Sequence, residues 1–106
     1  MATMDDFKKC ELKVAEIKEV KAHPNADRLY VLKVSLGQEE RQIVAGIRNF
    51  YTPEELLGKR VIVIANLEPA VIRGEESQGM LLAAKDGTSL TFLTTQRDVA
   101  LGSPVS

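Results

Sequence analysis

The stretch YTPEELLGK, Tyr51 to Lys59, constrains the fold more than any other part of the chain. Thr52 is an N-cap, Pro53 takes the first helical position, Glu55 completes a T-x-x-E capping box and Gly58 stops the chain. The result is a helix of barely more than one turn, too short to carry a helical core. The segments on either side read as strands. After it, RVIVIANL holds five consecutive apolar residues, Val61 to Ala65, and needs cover on both faces. Before it, RQIVAGI reads as a strand returning from a hairpin whose turn is GQEE, with Gly37 as the positive-φ residue.

The remaining segments extend this pattern. ELKVAEIKEVKA has Leu12 and Val14 two apart, then Ile17 and Val20, so its alternation slips by one near Ala15. A strand with a bulge or sharp coil explains the slip, although positions 13, 14, 17 and 20 also have helical spacing. HPNAD is a turn, with Pro24 fixing φ and Asn25 and Asp27 accepting local backbone bonds. RLYVLKVSL follows as a strand that is apolar on both faces in its middle. EPAVIRGEESQ reads as a long loop, GMLLAAK as a strand, Asp86–Gly87 as a turn, SLTFLTT as a further strand and ALGSPVS as a tail. MDDFKKC is a turn of helix or an arm.

Strand, strand, strand, short helix, strand and strand, followed by an extra C-terminal hairpin, is the layout of a five-stranded OB-fold barrel with a C-terminal β extension. The class is all-β with one short helix. The chain reads as one domain over residues 1–106, with barrel core at 7–88 and extension at 89–106. Folds of this type take ligands on strands 2 and 3 and on loops 1–2 and 4–5. Here those elements carry HPNADR, Lys33, Arg41 and the segment IRGEESQGMLLAA.

Composition narrows the chemistry. Lys and Arg total 14 against 15 Asp and Glu, which argues against coating nucleic acid by bulk charge but leaves room for a local basic patch. One Cys and one His cannot assemble a common zinc site, and the glycines fit neither a dinucleotide fingerprint nor a P-loop. No cofactor and no metal are expected. Cys10 cannot form an intrachain disulfide, and with no apolar leader a reducing cytosol is the simplest compartment. No run approaches a membrane span. His23, before Pro24 in a polar turn, reads as a surface turn residue.

At the junction of a charged loop and an apolar strand stand Ser77, Gln78, Gly79 and Met80. Ser77 and Gln78 can donate and accept hydrogen bonds, Gly79 allows close backbone approach and Met80 can lie against a flat surface without demanding one geometry. The alternative is that Gly79 is a bulge, Met80 is core and the polar pair caps the loop. Arg28, Lys33, Arg41 and Arg73 are candidate phosphate contacts, with Lys13 a weaker one; the alternative for each is a solvated charge. Asn25 could bond a sugar or base and Asn66 follows the buried strand, although both also suit turns. Glu75 and Glu76, beside the motif, would repel phosphate unless they face away. Tyr30 is the one aromatic residue in strand 2, which disfavours generic single-strand binding by stacking.

HPNADRLYVLKV, IVAGI, YTPEELLGKRVIVIANLEP and RGEESQGMLLAA, in this order and at these intervals, resemble the tRNA-binding domain family, which includes the C-terminal domain or β subunit of methionyl-tRNA synthetase and free-standing structure-specific tRNA-binding proteins. The resemblance runs from Phe7 to Val105 and matches Ser77, Gln78, Gly79 and Met80 to an S-x-G-M motif. It implies non-catalytic binding of tRNA by shape, at the elbow, and homodimers formed through the N-terminal segment and the C-terminal extension. It fits an independent polypeptide or a domain of a longer synthetase. Two other readings stay open: a chaperone-like relative that binds peptides, and a purely structural dimerisation domain.

Overall fold

The computed structural model describes residues 1–106. Its elements are α1 (Met4–Lys8), β1 (Leu12–Ala22), β2 (Tyr30–Ser35), β3 (Glu40–Ala45), α2 (Pro53–Leu56), β4 (Arg60–Ile64), β5 (Ala70–Ile72), β6 (Glu75–Ser77), β7 (Met80–Leu81), β8 (Ala83–Asp86), β9 (Ser89–Phe92) and β10 (Pro104–Val105). The main sheet runs β3-β2-β1-β4-β7, all antiparallel. Contacts of β3 with β6 and β7 bring its ends together into a nearly closed, OB-like barrel.

β1 can serve two neighbours because it is long and sharply coiled. Residues 12–16 pair with β4 and residues 16–22 with β2. The register shift lies between Ile17 and Glu19, not near Ala15, so Lys18 is the extra residue. Glu16 steadies this bend by pairing with Lys18 at 2.9 Å and Arg60 at 3.8 Å. The Lys18 hydrogen bond, helped by the charges of Lys18 and Arg60, holds its carboxyl below the ordinary carboxylate value although partial burial opposes this.

Inside the barrel Ala15, Ile17, Leu32, Val34, Ile43, Leu56, Val61 and Val63 are buried in one aliphatic cluster. Leu56 comes from α2, which plugs one end. Thr52 and Glu55 form the reciprocal capping box expected of them, with Glu55 N–H donating to Thr52 Oγ1 and Thr52 N–H to Glu55 Oε1. Phe92 of β9 packs against Tyr51 with ring centroids 5.1 Å apart.

Two sequence expectations need correction here. The segment 68–78 is not an open loop: β5 and β6 pair as a hairpin, Ile72 opposite Glu75, with Arg73 and Gly74 at its tip. The strand expected at 79–85 is divided. Met80 and Leu81 belong to the barrel, whereas Ala83–Asp86 pairs with Ser89–Phe92 as a separate hairpin. The chain therefore leaves the barrel sheet at Leu82, before residue 88. Its last strand returns to the barrel, where Pro104 and Val105 pair with Lys13 and Leu12 on the part of β1 that β2 leaves uncovered.

Candidate nucleic-acid interface

The barrel closes at a seam where β3 meets β6 and β7, and side chains complete it. Gln42 N–H donates to Gln78 Oε1 at 3.0 Å and Val44 N–H to Ser77 Oγ at 3.0 Å, while Gln78 N–H donates to Gln42 C=O at 2.7 Å. Ser77 also donates to Gly79 C=O at 2.9 Å. Buried N–H groups on an edge strand need acceptors, and two side-chain oxygens supply them where no regular ladder can form. Ser77 is buried, so its hydroxyl is committed inside the protein as both donor and acceptor. Gln78 is half-buried, with its carbonyl engaged.

Gly79 serves the same seam. Its φ is 144°, and a Cβ there would stand 2.7 Å from the Ile64 carbonyl oxygen. The close backbone approach expected at this residue is made by the protein's own β4. Met80 differs from its neighbours: it is 52% exposed, an outward thioether beside the seam. It is not the core residue of the structural alternative. Met80→Ala should therefore lower the melting temperature little, since a buried methionine would cost about 2–5 kcal/mol. On the expectation that Met80 meets an RNA base, tRNA affinity should fall by about 1–3 kcal/mol, the scale of one stacked base. A melting curve and a tRNA titration on this variant decide it; a large stability loss with normal binding would return Met80 to the core.

The basic candidates divide in a similar way. Arg41 is engaged internally: Nη1 donates to Ala65 C=O at 2.6 Å and Gln78 C=O at 3.2 Å, and Nε and Nη2 donate to Glu39 Oε1 at 3.1 and 2.7 Å. It is a clamp across the seam, not a free fork. Asn66 joins the N-terminal segment to the end of β4, accepting Glu11 N–H at 2.8 Å and donating to Lys9 C=O at 2.7 Å. Lys33 is exposed and lies 3.6 Å from Glu19, a surface pair of the kind that contributes little and exchanges readily. Lys13, on β1, is paired in the sheet with Val63 and Pro104, away from the β5–β6 tip.

Arg28 and Arg73 come together. Both are exposed and neither has a carboxylate ion-pair partner. With Asn25, Ala26, Asp27 and Leu29 they line one concavity of about 460 Å³ between loop 23–29 and the β5–β6 tip. Arg73 has φ 52° and Gly74 φ 92°, the double positive φ of a type I′ hairpin turn. Glycine takes that conformation freely; arginine pays about 1–2 kcal/mol for it. Asn or Asp suits this position better, so Arg73 holds a conformation that its own residue type does not favour. Asp27 is the one carboxylate on this concavity. Glu76 lies opposite Val71 in β6, outside it.

His23 was missed. It is 3% exposed and not a surface residue. Nδ1 accepts Asn25 N–H at 2.9 Å and Nε2 donates to Ile72 C=O at 2.9 Å, so the ring joins loop 23–29 to the hairpin. The polar neighbours of His23 suggested exposure because no local signal shows that β5 comes against them. Arg48 supports the same loop by donating to Ala26 C=O at 3.2 Å, and no local signal marks it. No cluster of three or more His, Cys, Asp or Glu residues is placed to hold a metal ion, and no helix is long and apolar enough to cross a membrane.

The chain is thus an OB-like barrel with two arginines, neither in an ion pair, lining one concavity at its rim. The family model described as "Putative tRNA binding domain" matches residues 12–104, and the chain belongs to that family. It is 56% identical over 103 residues to methionine–tRNA ligase of Thermococcus kodakarensis, an alignment that covers 97% of this chain and 14% of the ligase. The chain thus spans about one-seventh of the length of that curated relative. Among solved structures, the MetRS related protein from Pyrococcus horikoshii superposes with TM-score 0.93 at 36% identity, covering 100% of this chain and 98% of that one. The CsaA chaperone protein from Picrophilus torridus superposes with TM-score 0.93 at 30% identity over the full length of both.

Proposed function

We propose that the chain binds folded tRNA at its elbow, without catalysis, in the cytoplasm, and serves methionyl-tRNA synthetase as an attached domain or a separate subunit. The observation that carries this reading is the convergence of Arg28 and Arg73, both without carboxylate partners, on one concavity in a member of a tRNA-binding family. In this reading the exposed Lys33 and Met80 add a mobile charge and a soft apolar contact. Ser77, Gln78, Gly79 and Arg41 are taken up in closing the β3–β6–β7 seam, Asn66 ties the N-terminal segment to the end of β4, and Asn25 lines the concavity. A net charge of −1 leaves no general attraction for RNA, so affinity depends on matching a particular backbone shape. Tethering tRNA near the synthetase raises its effective concentration without new chemistry.

Filter binding of intact tRNA, tRNA halves and unfolded RNA of equal length tests this. Intact tRNA should bind tightest, and equal affinity for unfolded RNA would remove the elbow reading. The similarity to a CsaA chaperone protein supports a second reading, in which an unfolded peptide takes the same face. Competition between tRNA and an unfolded peptide separates the two.

The functional unit is a homodimer in this proposal. α1 has no buried residue, yet it keeps a capping box and exposes Met4 and Phe7. A five-residue helix does not persist in water on its own propensity. Leu93 and Val99 are likewise exposed, on an apolar hollow formed with Leu12, Val14, Ile62 and Leu82. A second copy would cover both regions. Val99→Asp should convert the dimer to a monomer in sedimentation equilibrium while retaining the barrel's circular dichroism. A wild-type chain that sediments as a monomer at micromolar concentration would end the idea.

A further inference from the structure

We propose that His23 is the positioning residue that sets the gap between Arg28 and Arg73, through the bond its ring Nε2 makes from the loop of Arg28 to the carbonyl of Ile72 beside Arg73. This rests on the RNA-binding reading above and goes beyond it in assigning how the face is held.

The loop that carries Arg28 is closed at both ends by His23. The ring Nδ1 accepts Asn25 N–H at 2.9 Å, and the backbone N–H of His23 donates to Leu29 C=O at 3.1 Å. The other ring nitrogen crosses to the hairpin, where Nε2 donates at 2.9 Å to the carbonyl of Ile72, the residue before Arg73. Because Nδ1 accepts a backbone N–H, the ring proton resides on Nε2, and both polar atoms of a 3% exposed side chain are satisfied.

Without this bond the hairpin is tied on one side only. Ser77 and Gln78, together with Glu76 C=O, which accepts from the Gln42 side-chain amide Nε2 at 2.8 Å, attach β6 to β3. Those bonds begin three residues from Arg73 and leave the β5 side of the tip to His23. The strained conformation of Arg73 makes this restraint consequential, because a tip with φ 52° at a non-glycine residue relaxes if it is released. The ring therefore holds two separately folded loops in one register, and the guanidinium spacing follows from it.

Two isosteric substitutions separate the two ring bonds. His23→Gln carries an amide N–H to the position of Nε2 and can still reach Ile72 C=O. His23→Asn places an oxygen near the position of Nδ1, keeps the Asn25 bond and is too short to reach the hairpin. In the full chain, His23→Gln should bind tRNA within about twofold of wild type, whereas His23→Asn should lose about three- to tenfold, the effect of one hydrogen bond. Amide hydrogen exchange at Arg73 and Gly74 should accelerate in the Asn variant and not in the Gln variant. Arg28→Ala and Arg73→Ala are titrated in the same series. If these arginine variants bind like wild type, the RNA-binding reading of the concavity falls. If they bind weakly while a folded His23→Asn binds normally, only the role of His23 falls. Equal losses in the Gln and Asn variants would also overturn it, since a merely structural histidine does not distinguish them. Should the Asn variant not fold, the Gln variant alone decides: near-normal affinity supports the cross-loop bond, and a loss of threefold or more on the scale of that bond overturns it.

Discussion

Gly79→Ala should be among the most destabilising single-methyl additions this chain can receive. Two independent terms act. The backbone at φ 144° lies where L-residues carry about 1–3 kcal/mol of strain. The new methyl would stand 2.7 Å from the carbonyl oxygen of Ile64, the last residue of β4, which is paired on both sides, with Leu12 and Met80, and cannot move alone. Forcing such a methyl into a packed site adds about 1–3 kcal/mol. Together they approach half of the roughly 5–15 kcal/mol that holds a domain of this size, so thermal unfolding should fall by at least about 10 °C. A melting temperature within a few degrees of wild type, about the effect of less than 1 kcal/mol, would show that the seam has room to spare and that the glycine has another purpose.

The outcome matters for reading the segment around it. Ser77, Gln78, Gly79 and Met80 invite a functional reading because two polar residues and a glycine enter an apolar strand. Three of the four close the barrel. Side-chain oxygens supply acceptors for β3, and a missing side chain lets β7 lie against β4. Only Met80 is left facing outward. Sequence reasoning recognises such residues as special but has no means to tell a protein acceptor from an RNA one. Both need the same atoms, and the difference lies in which strand passes within 3 Å.

The legible parts of the fold were those encoded locally. The T-x-x-E box and Pro53 defined α2, and the apolar run in β4 required cover on both faces, which the barrel and the C-terminal extension provide. The strand order followed from periodicity. Less legible were features set by tertiary pairing. The bulge lies at Lys18, where β1 passes from pairing with β4 to pairing with β2 and Glu16 pairs with Lys18 and Arg60. The β5–β6 hairpin was hidden because its turn is Arg-Gly instead of Asn-Gly, and because Glu75 and Glu76 do not read as strand. With the hairpin hidden, burial of His23 beneath it could not be inferred. Arg28 and Arg73 were singled out by residue type and by lying on the segments where such barrels take ligands; their shared concavity depends on two loops separated by more than forty positions in sequence.

Charge reversal at that concavity should produce the largest loss of tRNA binding. Each guanidinium that bonds a phosphate contributes about 1.5–3 kcal/mol as a charge-assisted hydrogen bond. Arg28→Glu with Arg73→Glu should therefore weaken binding by at least about a hundredfold, and for every tRNA alike, because phosphate contacts carry no sequence information. Salt supplies an independent measure. About three neutralised phosphates per barrel give a slope of log K against log salt near −2 to −3, and the double variant should bring it close to −1. Arg73→Asn isolates charge from backbone. Asparagine takes positive φ more readily than arginine, so the turn should be as stable or more so while affinity falls by about tenfold, the effect of one lost contact. A wild-type slope near −8 would mean that the footprint extends far beyond these two residues. A double reversal that leaves tRNA affinity unchanged, in a chain that melts normally, would move the interface off this rim altogether.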